Sequence, residues 1–198
     1  PSGSMVPTLL VGDYLFVSKF SYGHSRYSFP FGIAPFSGRI FEDKPERGDV
    51  AVFRQPTDPS IAFIKRVVGL PGDQIQVQGG ILRINGVPVE RTYLGQATAT
   101  DGYLMMNFKV YEESLPDGSR YLIQERSDSD SYDNTAVYQV PEGHYFMMGD
   151  NRDNSRDSRT TAVGMVPAQN RVGRANRLIF SHNGKARLRE MRKRPLAV

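Results

Sequence analysis

The chain divides into short apolar runs separated by turns rich in glycine and proline, a pattern that favours strands over long helices. It has 198 residues, of which 19 are Gly and 13 are Pro. Residues 50–53 and 61–68 are typical of buried strands, and residues 9–17 predict two short strands around Gly12-Asp13. Asn85-Gly86, inside the apolar segment 82–89, is typical of a tight hairpin. The sequence therefore predicts a fold of many short strands.

The character of the sequence changes near residue 74 and changes back near residue 145. Residues 74–145 alternate short strands with polar segments and predict a smaller antiparallel β subdomain. We expect it to be inserted between a first part of a core, 1–73, and a second part, 146–198. The Asp-rich segment 127–134 does not fit a calcium loop, because Asp133 stands where the loop needs glycine.

Positive charge is concentrated at the C-terminal end. Residues 171–198 hold nine Lys and Arg and one acid, Glu190, while the net charge of the whole chain is +4. The basic segment 185–194 could bind anionic lipid headgroups or nucleic acid, or form a solvated helix. Because it lacks interleaved aromatic residues, nucleic acid is the weaker interpretation, and we predict no nucleic acid partner.

No run of about 18 apolar residues is present, so the chain itself predicts no membrane span. It begins at Pro1 without a methionine, and we expect it to be a piece of a longer protein. The segment 21–48 contains Phe29, Phe31, Ile33 and Phe36. These side chains either pack on the sheet or form an exposed patch that contacts a membrane or a partner.

The first nine residues contain a candidate nucleophile. Ser2 and Ser4 flank Gly3, and Pro1 and Pro7 make the ends of the turn rigid. A hydroxyl held on such a turn, beside exposed N–H groups, suits a nucleophile next to an oxyanion site. The same composition also fits an ordinary surface loop.

The residue types present limit the choice of a base. Cysteine is absent, which excludes thiol catalysis and disulfides. His24, His144 and His182 lie far apart, each beside Gly or Asn, so a Ser-His-Asp triad or a histidine metal site is disfavoured. A lysine remains, provided that burial lowers its pKa.

Lys65 is the best of the six lysines for that role. The strand period of two places it on the same face as Ile61, Phe63 and Val67. No lysine follows a serine by three residues, so the S-x-x-K pattern is absent. The residues alone thus leave a Ser4–Lys65 dyad as one hypothesis beside the loop interpretation.

Several ordered motifs resemble those of bacterial type I signal peptidases. They are Pro1-Ser-Gly-Ser-Met-Val-Pro-Thr-Leu9, Gly12-Asp13, Arg47-Gly-Asp-Val50, Lys65-Arg-Val-Val-Gly-Leu-Pro-Gly-Asp73, Gly149-Asp-Asn-Arg-Asp-Asn-Ser-Arg-Asp-Ser-Arg159, Val166-Pro167 and Val172-Gly-Arg-Ala175. One Gly-Asp or Pro-Gly would mean little, but this number of motifs in this order is specific to the family.

The resemblance implies a mainly β fold, in which an antiparallel catalytic core carries an inserted smaller antiparallel β subdomain. It implies a membrane-associated serine endopeptidase that removes N-terminal signal peptides from exported preproteins after small residues, in the pattern Ala-x-Ala. The expected partners are those signal peptides and the membrane lipid surface, with no cofactor and no metal. The expected location is the bacterial cytoplasmic membrane, with the catalytic domain on the outer, periplasmic side and a transmembrane anchor upstream of Pro1.

The resemblance also implies roles for individual residues. Ser4 matches the nucleophile and Lys65 the general base, while the backbone N–H of Ser4 and the hydroxyl of Ser2 match the oxyanion donors. Ser155 matches a residue that hydrogen-bonds and orients the lysine. Asp157 and Arg159 match a supporting pair, with Asp150 and Asn154 expected in the same network. The bulky walls of the substrate pockets are expected from Met5, Leu9, Leu15, Val52, Phe63 and Ile64.

Two other functions stay open. A self-cleaving repressor-type Ser/Lys protease needs a small-residue cleavage site within the chain, and Ala97-Thr98-Ala99 is the candidate. The Arg- and Asp-rich loop 149–159 disfavours that class. A non-catalytic β module that binds exported chains is disfavoured because every catalytic position is filled.

Overall fold

Antiparallel strands make up most of the part of the chain that the structure, a computed structural model, describes: residues 3–18, 44–101 and 104–181. The mainly β prediction is confirmed. The aromatic segment from Phe29 to Phe36 and the basic segment 185–194 lie outside the described residues. The strands are β1 (Asp13–Ser18), β2 (Val50–Arg54), β3 (Ala62–Gly69), β4 (Gln74–Gln78), β5 (Ile81–Ile84), β6 (Val87–Pro88), β7 (Glu90–Asp101), β8 (Leu104–Ser114), β9 (Arg120–Glu125), β10 (Tyr138–Gln139), β11 (His144–Met148), β12 (Val166–Pro167) and β13 (Arg171–Ser181).

These strands form three sheets. The largest has six strands in the order β1-β13-β2-β3-β11-β12, so it combines strands from both ends of the described chain. The residues between β3 and β11 supply a four-stranded sheet, β10-β4-β5-β6, and a three-stranded sheet, β7-β8-β9. The division of the chain at residues 73/74 and 145/146 into core and insertion stays a prediction.

Strands β3 and β11 lie inside the six-stranded sheet, and residues 65–69 of β3 and 145–148 of β11 are buried on both faces. Alternate residues point to opposite sides: Val68 and Phe146 join one apolar cluster, and Val67 and Met147 join another. The first cluster also contains side chains of the four-stranded and three-stranded sheets, such as Ile75. The core therefore continues from the six-stranded sheet into the two smaller ones.

The predicted hairpin turn is present. Asn85 and Gly86 both have positive φ, 54° and 80°, as such a turn requires.

Two other local predictions differ from the structure. Only one strand flanks Gly12-Asp13, because residues 10–13 form a turn in which Asp13 Oδ2 accepts a hydrogen bond from the N–H of Leu10. Ile61 precedes β3 and is exposed, so it does not flank Lys65 as the strand period predicted.

Within the described ranges, no helix has the length and apolar character needed to cross a bilayer.

Candidate active site

Ser4, the candidate nucleophile, lies in a short 3₁₀ turn, Gly3–Met5, which is anchored in the core and is called the nucleophile turn below. Met5 and Leu9 are fully buried with Val50 and Ala175 in an apolar cluster beneath it. The N–H of Leu9 donates to the carbonyl of Met5, which closes the following turn. Because Met5, the residue directly after Ser4, is packed in the core, the backbone at Ser4 has little freedom and the position of Ser4 is fixed.

Lys65 lies on β3 directly beside this turn. Its Nζ is 2.5 Å from Ser4 Oγ and donates a second hydrogen bond to the carbonyl of Ile64 at 3.0 Å. The side chain is only 1% exposed, and the ring centre of Phe63 lies 5.3 Å from Nζ. Ser4 and Lys65, which are 61 positions apart in the sequence, are therefore in contact and both are buried.

Burial lowers the pKa of Lys65 to about 8, because desolvation disfavours the ammonium form. Asp157 and Asp150 oppose this effect, and Arg159 adds to it. Each of these two carboxylates is already paired with an arginine, and burial outweighs their combined effect. With a pKa of about 8, roughly a tenth of Lys65 is an uncharged amine at pH 7 and about half at pH 8. This form can accept the hydroxyl proton of Ser4.

Asp157 and Arg159, the expected supporting pair, are in contact. Arg159 donates from Nε and Nη2 to the two carboxylate oxygens of Asp157, both at 2.9 Å. Asp157 also accepts from the N–H of Gly149 at 3.0 Å. Burial raises the pKa of Asp157, but the guanidinium and the N–H donor outweigh it, so the pKa lies below its ordinary value. This ionised pair closes the loop 149–159 on itself.

Asp150 pairs with a residue that the sequence did not single out, Arg66. Arg66 donates from Nε and Nη2 to Asp150 at 2.9 and 2.7 Å, and from Nη1 to the carbonyl of Gly48. Its guanidinium stacks 4.1 Å from the ring centre of Tyr121. The expected network of Asp150 with Asn154 is absent, because Asn154 is exposed and makes no side-chain hydrogen bond within the described ranges.

Asn151 joins the loop to the nucleophile turn. Its backbone N–H donates to the carbonyl of Ser4, and its side-chain amide donates to the carbonyl of Gly3, both at 3.0 Å. The fit is close at Gly149, where a Cβ atom would lie 2.6 Å from the carbonyl oxygen of Ser4 and 2.2 Å from Ser155 Oγ. Only glycine permits this contact between the loop and the turn.

The expected hydrogen bond from Ser155 to Lys65 is not present. Lys65 Nζ is oriented by Ser4 Oγ and the carbonyl of Ile64 instead. Ser155 Oγ is buried and makes no hydrogen bond of acceptable geometry in the described part of the chain. It is nevertheless close enough to the Asp157 carboxylate to help lower its pKa. Ser2 lies outside the described residues.

A cleft of about 280 Å³ opens at the dyad and is lined by Gly3, Ser4, Phe63, Lys65, Asn154 and Arg156. Of the six expected pocket residues, only Phe63 lies on this wall. Met5 and Leu9 have no exposed surface and are core residues, and Leu15 and Ile64 pack partly buried against the same cluster. Val52 is half-buried on β2. Several side chains that we expected to contact substrate are therefore packed in the core.

A second buried ion pair connects the loop to the three-stranded sheet. Arg152, in a 3₁₀ turn Arg152–Asn154, pairs through both terminal nitrogens with Glu113 of β8. The hydroxyl of Tyr121 donates to the same carboxylate at 2.7 Å. Burial lowers the pKa of Arg152, but Glu113, Tyr121 and Glu125 together raise it more, so the pKa lies above its ordinary value. This pair thus joins the loop 149–159 to β8 of the three-stranded sheet.

Sequence reasoning missed Arg66, Asn151, Arg152 and Arg156. For Arg66 a signal was present, because the strand period that places Lys65 among apolar residues places Arg66 between Ile64 and Val68 on the other face. A buried arginine requires a carboxylate partner. No comparable signal marks Glu113, since its burial depends on how β8 packs.

Comparison with known proteins assigns the family. A family model described as "Signal peptidase, peptidase S26" matches residues 1–180. The chain belongs to the signal peptidase family, peptidase S26. The signal peptidase I of Rickettsia typhi is 46% identical over 189 residues, which cover 91% of this chain and 70% of that protein. The signal peptidase I of Rickettsia akari gives the same identity and coverage. A crystal structure of a signal peptidase I from Enterococcus faecalis is 24% identical, with a TM-score of 0.38, covering 70% of this chain and 98% of that one.

Membership in the signal peptidase family makes the chain a serine endopeptidase, as the motifs predicted. It also supports removal of signal peptides by a serine protease. The geometry around Ser4 and Lys65 suits the same class of enzyme.

Proposed function

We propose that the chain cleaves signal peptides from exported preproteins after the second alanine of an Ala-x-Ala site, with Ser4 as nucleophile and neutral Lys65 as general base. The observation that carries the proposal is the 2.5 Å separation of Lys65 Nζ and Ser4 Oγ in a buried site. A lysine that is buried without a carboxylate partner is costly for stability and useful as a base.

In the acylation step Ser4 Oγ attacks the scissile carbonyl and its proton passes to Lys65 Nζ. The C–N bond then breaks, and the ammonium of Lys65 protonates the leaving amine. An acyl-enzyme on Ser4 remains, and water attacks it while Lys65 again accepts a proton. The ester bond to Ser4 Oγ then breaks, and Lys65 returns the proton to Oγ, which regenerates the enzyme and releases the new carboxyl end of the peptide. The backbone N–H of Ser4 and the hydroxyl of Ser2 stabilise the oxyanion in both steps.

The substrate binds as an added strand along the open edge of β3. Residues 62–66 of β3 pair with β2, but β11 pairs only with residues 66, 67 and 69. Within the described ranges no strand therefore covers the second side of Phe63 and Ile64. An extended peptide placed there gains main-chain hydrogen bonds and passes next to Lys65, which lies at the end of this open edge.

We also propose a location on the outer side of the bacterial cytoplasmic membrane, where signal peptides emerge. Val11, Tyr14 and Phe16 supply exposed apolar surface close to the nucleophile turn in the sequence, with exposed fractions of 56–62%. Amphipathic aromatic side chains such as Tyr suit the interface of a bilayer. The partners are thus a signal peptide and a lipid surface, with no nucleic acid.

Cleavage of an Ala-x-Ala peptide in detergent, followed by mass spectrometry, tests the proposed function. The parent chain should cut after the second alanine, and Ser4→Ala and Lys65→Ala should each lose about 10³-fold or more in kcat/KM. Ser60→Ala and Lys44→Ala, which change an exposed serine and an exposed lysine, are matched controls and should retain activity. An active Lys65→Ala variant would mean that another group is the base.

The pH profile gives a second test. Because the base must be uncharged, kcat/KM should rise tenfold per pH unit below the pKa of Lys65 and level off above about 8. A profile that levels off near pH 6, as expected for a histidine base, contradicts the assignment.

A further inference from the structure

Arg156 differs from the other arginines of the loop 149–159. Arg152 and Arg159 are buried, and each is paired with a carboxylate, Glu113 or Asp157. Arg156 is exposed and makes no ion pair within the described ranges. Its neighbours Ser155 and Asp157 are buried, so the backbone that carries Arg156 is held in place while the side chain remains free.

Arg156 lines the same cleft as Ser4 and Lys65. The described wall of this cleft consists of Gly3, Ser4, Phe63, Lys65, Asn154 and Arg156, and it includes no acid. Lys65 must be neutral when it acts as the base, so Arg156 is the permanent positive charge of this wall. A guanidinium also presents several donors in a geometry that matches a carboxylate.

We infer that Arg156 is a specificity-determining residue that selects substrates with an Asp or Glu side chain between the two alanines or directly after the cleavage site. The inference rests on the proposed function, because it names a preference among the peptides that the dyad cleaves. A basic side chain at the same place meets like charge in a partly enclosed cleft and is disfavoured.

The size of the effect follows from the exposure of Arg156. An ion pair between exposed groups is weak, so an acidic substrate should have a kcat/KM about two- to fivefold above that of its neutral counterpart. Salt screens such pairs, and the preference should fall as ionic strength rises from about 0.01 M to 1 M.

Peptides with one Ala-x-Ala site test the inference in the full chain. One set carries Glu, Gln or Lys at the position between the alanines, and a second set carries the same residues at the first position after the cleavage site. The quantity compared is the ratio of kcat/KM for the Glu peptide to that for the Gln peptide, measured separately for each enzyme variant.

The parent should give a ratio above one for at least one of the two positions. Arg156→Gln should bring that ratio to about one, and Arg156→Lys should keep most of the preference for Glu. Arg156→Glu should bring the ratio below one and should cleave the Lys peptide faster than the Gln peptide. Arg120→Gln is a matched control, because Arg120 is exposed on β9 and its loss changes the net charge equally. It should leave the ratio at the parent value.

The outcomes separate this inference from the proposed function. If the parent cleaves the Gln peptides but shows no preference for Glu at either position, Arg156 has no such role and the dyad still stands. The same conclusion follows if Arg120→Gln lowers the ratio as much as Arg156→Gln does, since the effect then depends on net charge. If the parent cleaves none of the peptides while Ser4 and Lys65 are intact, both proposals are wrong.

Discussion

Lys65 and Arg66 are consecutive residues on opposite faces of β3, and both are buried. Arg66 contacts a carboxylate with two nitrogens and stacks on Tyr121. Its pKa stays above the ordinary value because Asp150 and Tyr121 together outweigh the effect of burial. Lys65 contacts only a hydroxyl and a backbone carbonyl, and its pKa falls to about 8. One face of the strand holds a permanent charge, and the other holds a base.

The difference lies in the partner and not in the depth of burial. A cation buried against an anion has its desolvation offset by the attraction between the charges. A cation buried against neutral groups has no such offset and releases its proton more easily. The low pKa of Lys65 therefore depends on the pairing of Asp150 with Arg66 and of Asp157 with Arg159. Four substitutions test this comparison, from the largest expected effect to the smallest.

Asp150→Asn breaks the paired face. It leaves the guanidinium of Arg66 buried without a counter-charge, and we expect a loss of about 3–5 kcal/mol in the free energy of unfolding. Chemical denaturation measures it. The double variant Arg66→Met/Asp150→Leu, which removes both charges, should recover much of the loss. A cost below about 1 kcal/mol for Asp150→Asn would show that the pair is solvated. Pairing with a carboxylate would then not explain why the pKa of Arg66 is raised and that of Lys65 is lowered.

Gly149→Ala disturbs the contact between the loop and the nucleophile turn. The added Cβ would lie 2.6 Å from the carbonyl of Ser4, so the turn must move, and we expect kcat/KM to fall about 100-fold. Gly79→Ala is the control, since its Cβ meets nothing within 4 Å and lies away from the site. It should cost stability through its φ of 56° and leave kcat/KM unchanged. Equal activity of the two variants contradicts the expected role of the close contact.

Lys65→Met removes the unpaired charge. The pKa of Lys65 is lower in the folded chain, about 8, than its ordinary value of 10.5, so the unfolded chain binds the proton more tightly. The resulting destabilisation is complete below pH 8 and disappears as the pH rises toward 10.5. The variant should therefore be inactive and more stable, by about 1–3 kcal/mol at pH 7. A stability difference that does not shrink between pH 8 and 10.5 contradicts this linkage.

Glu112→Gln marks the lower limit of the comparison. Glu112 and Arg120 are both exposed and lie 3.8 Å apart. We expect a change of less than about 0.5 kcal/mol, removed by 1 M salt. A change as large as that expected for Asp150→Asn would contradict the expectation that exposed ion pairs stabilise the fold less than buried ones.

Local patterns in the sequence were enough for much of the fold and for the centre of the site. The apolar runs and the Asn85-Gly86 turn predicted strands and a hairpin because strand and turn preferences act over a few residues. Lys65 was recognisable because a charge among apolar neighbours with a period of two must be buried. Residues 9–11 were misjudged, since an apolar run alone does not distinguish a strand from a turn packed in the core.

The partners of the buried charges could not be predicted in the same way. Arg66 meets Asp150 across 84 residues and Arg152 meets Glu113 across 39, and each pair depends on which strands pack against the loop. Ser155 illustrates the same limit, because its hydroxyl is placed by the close approach to Gly149 and not by a hydrogen bond to Lys65.

The sequence by itself determined the mainly β fold and the absence of thiol chemistry. It left a Ser4–Lys65 dyad as one hypothesis, which the resemblance to signal peptidases favoured. The first two follow from residue types and short spacings, which act before the chain folds. Only the tertiary structure decided which carboxylates are neutralised, which apolar side chains are core and not pocket, and that Arg156 faces the cleft. Burial and charge pairing join residues that are distant in the chain, and they take effect only when the sheets and the loop are assembled.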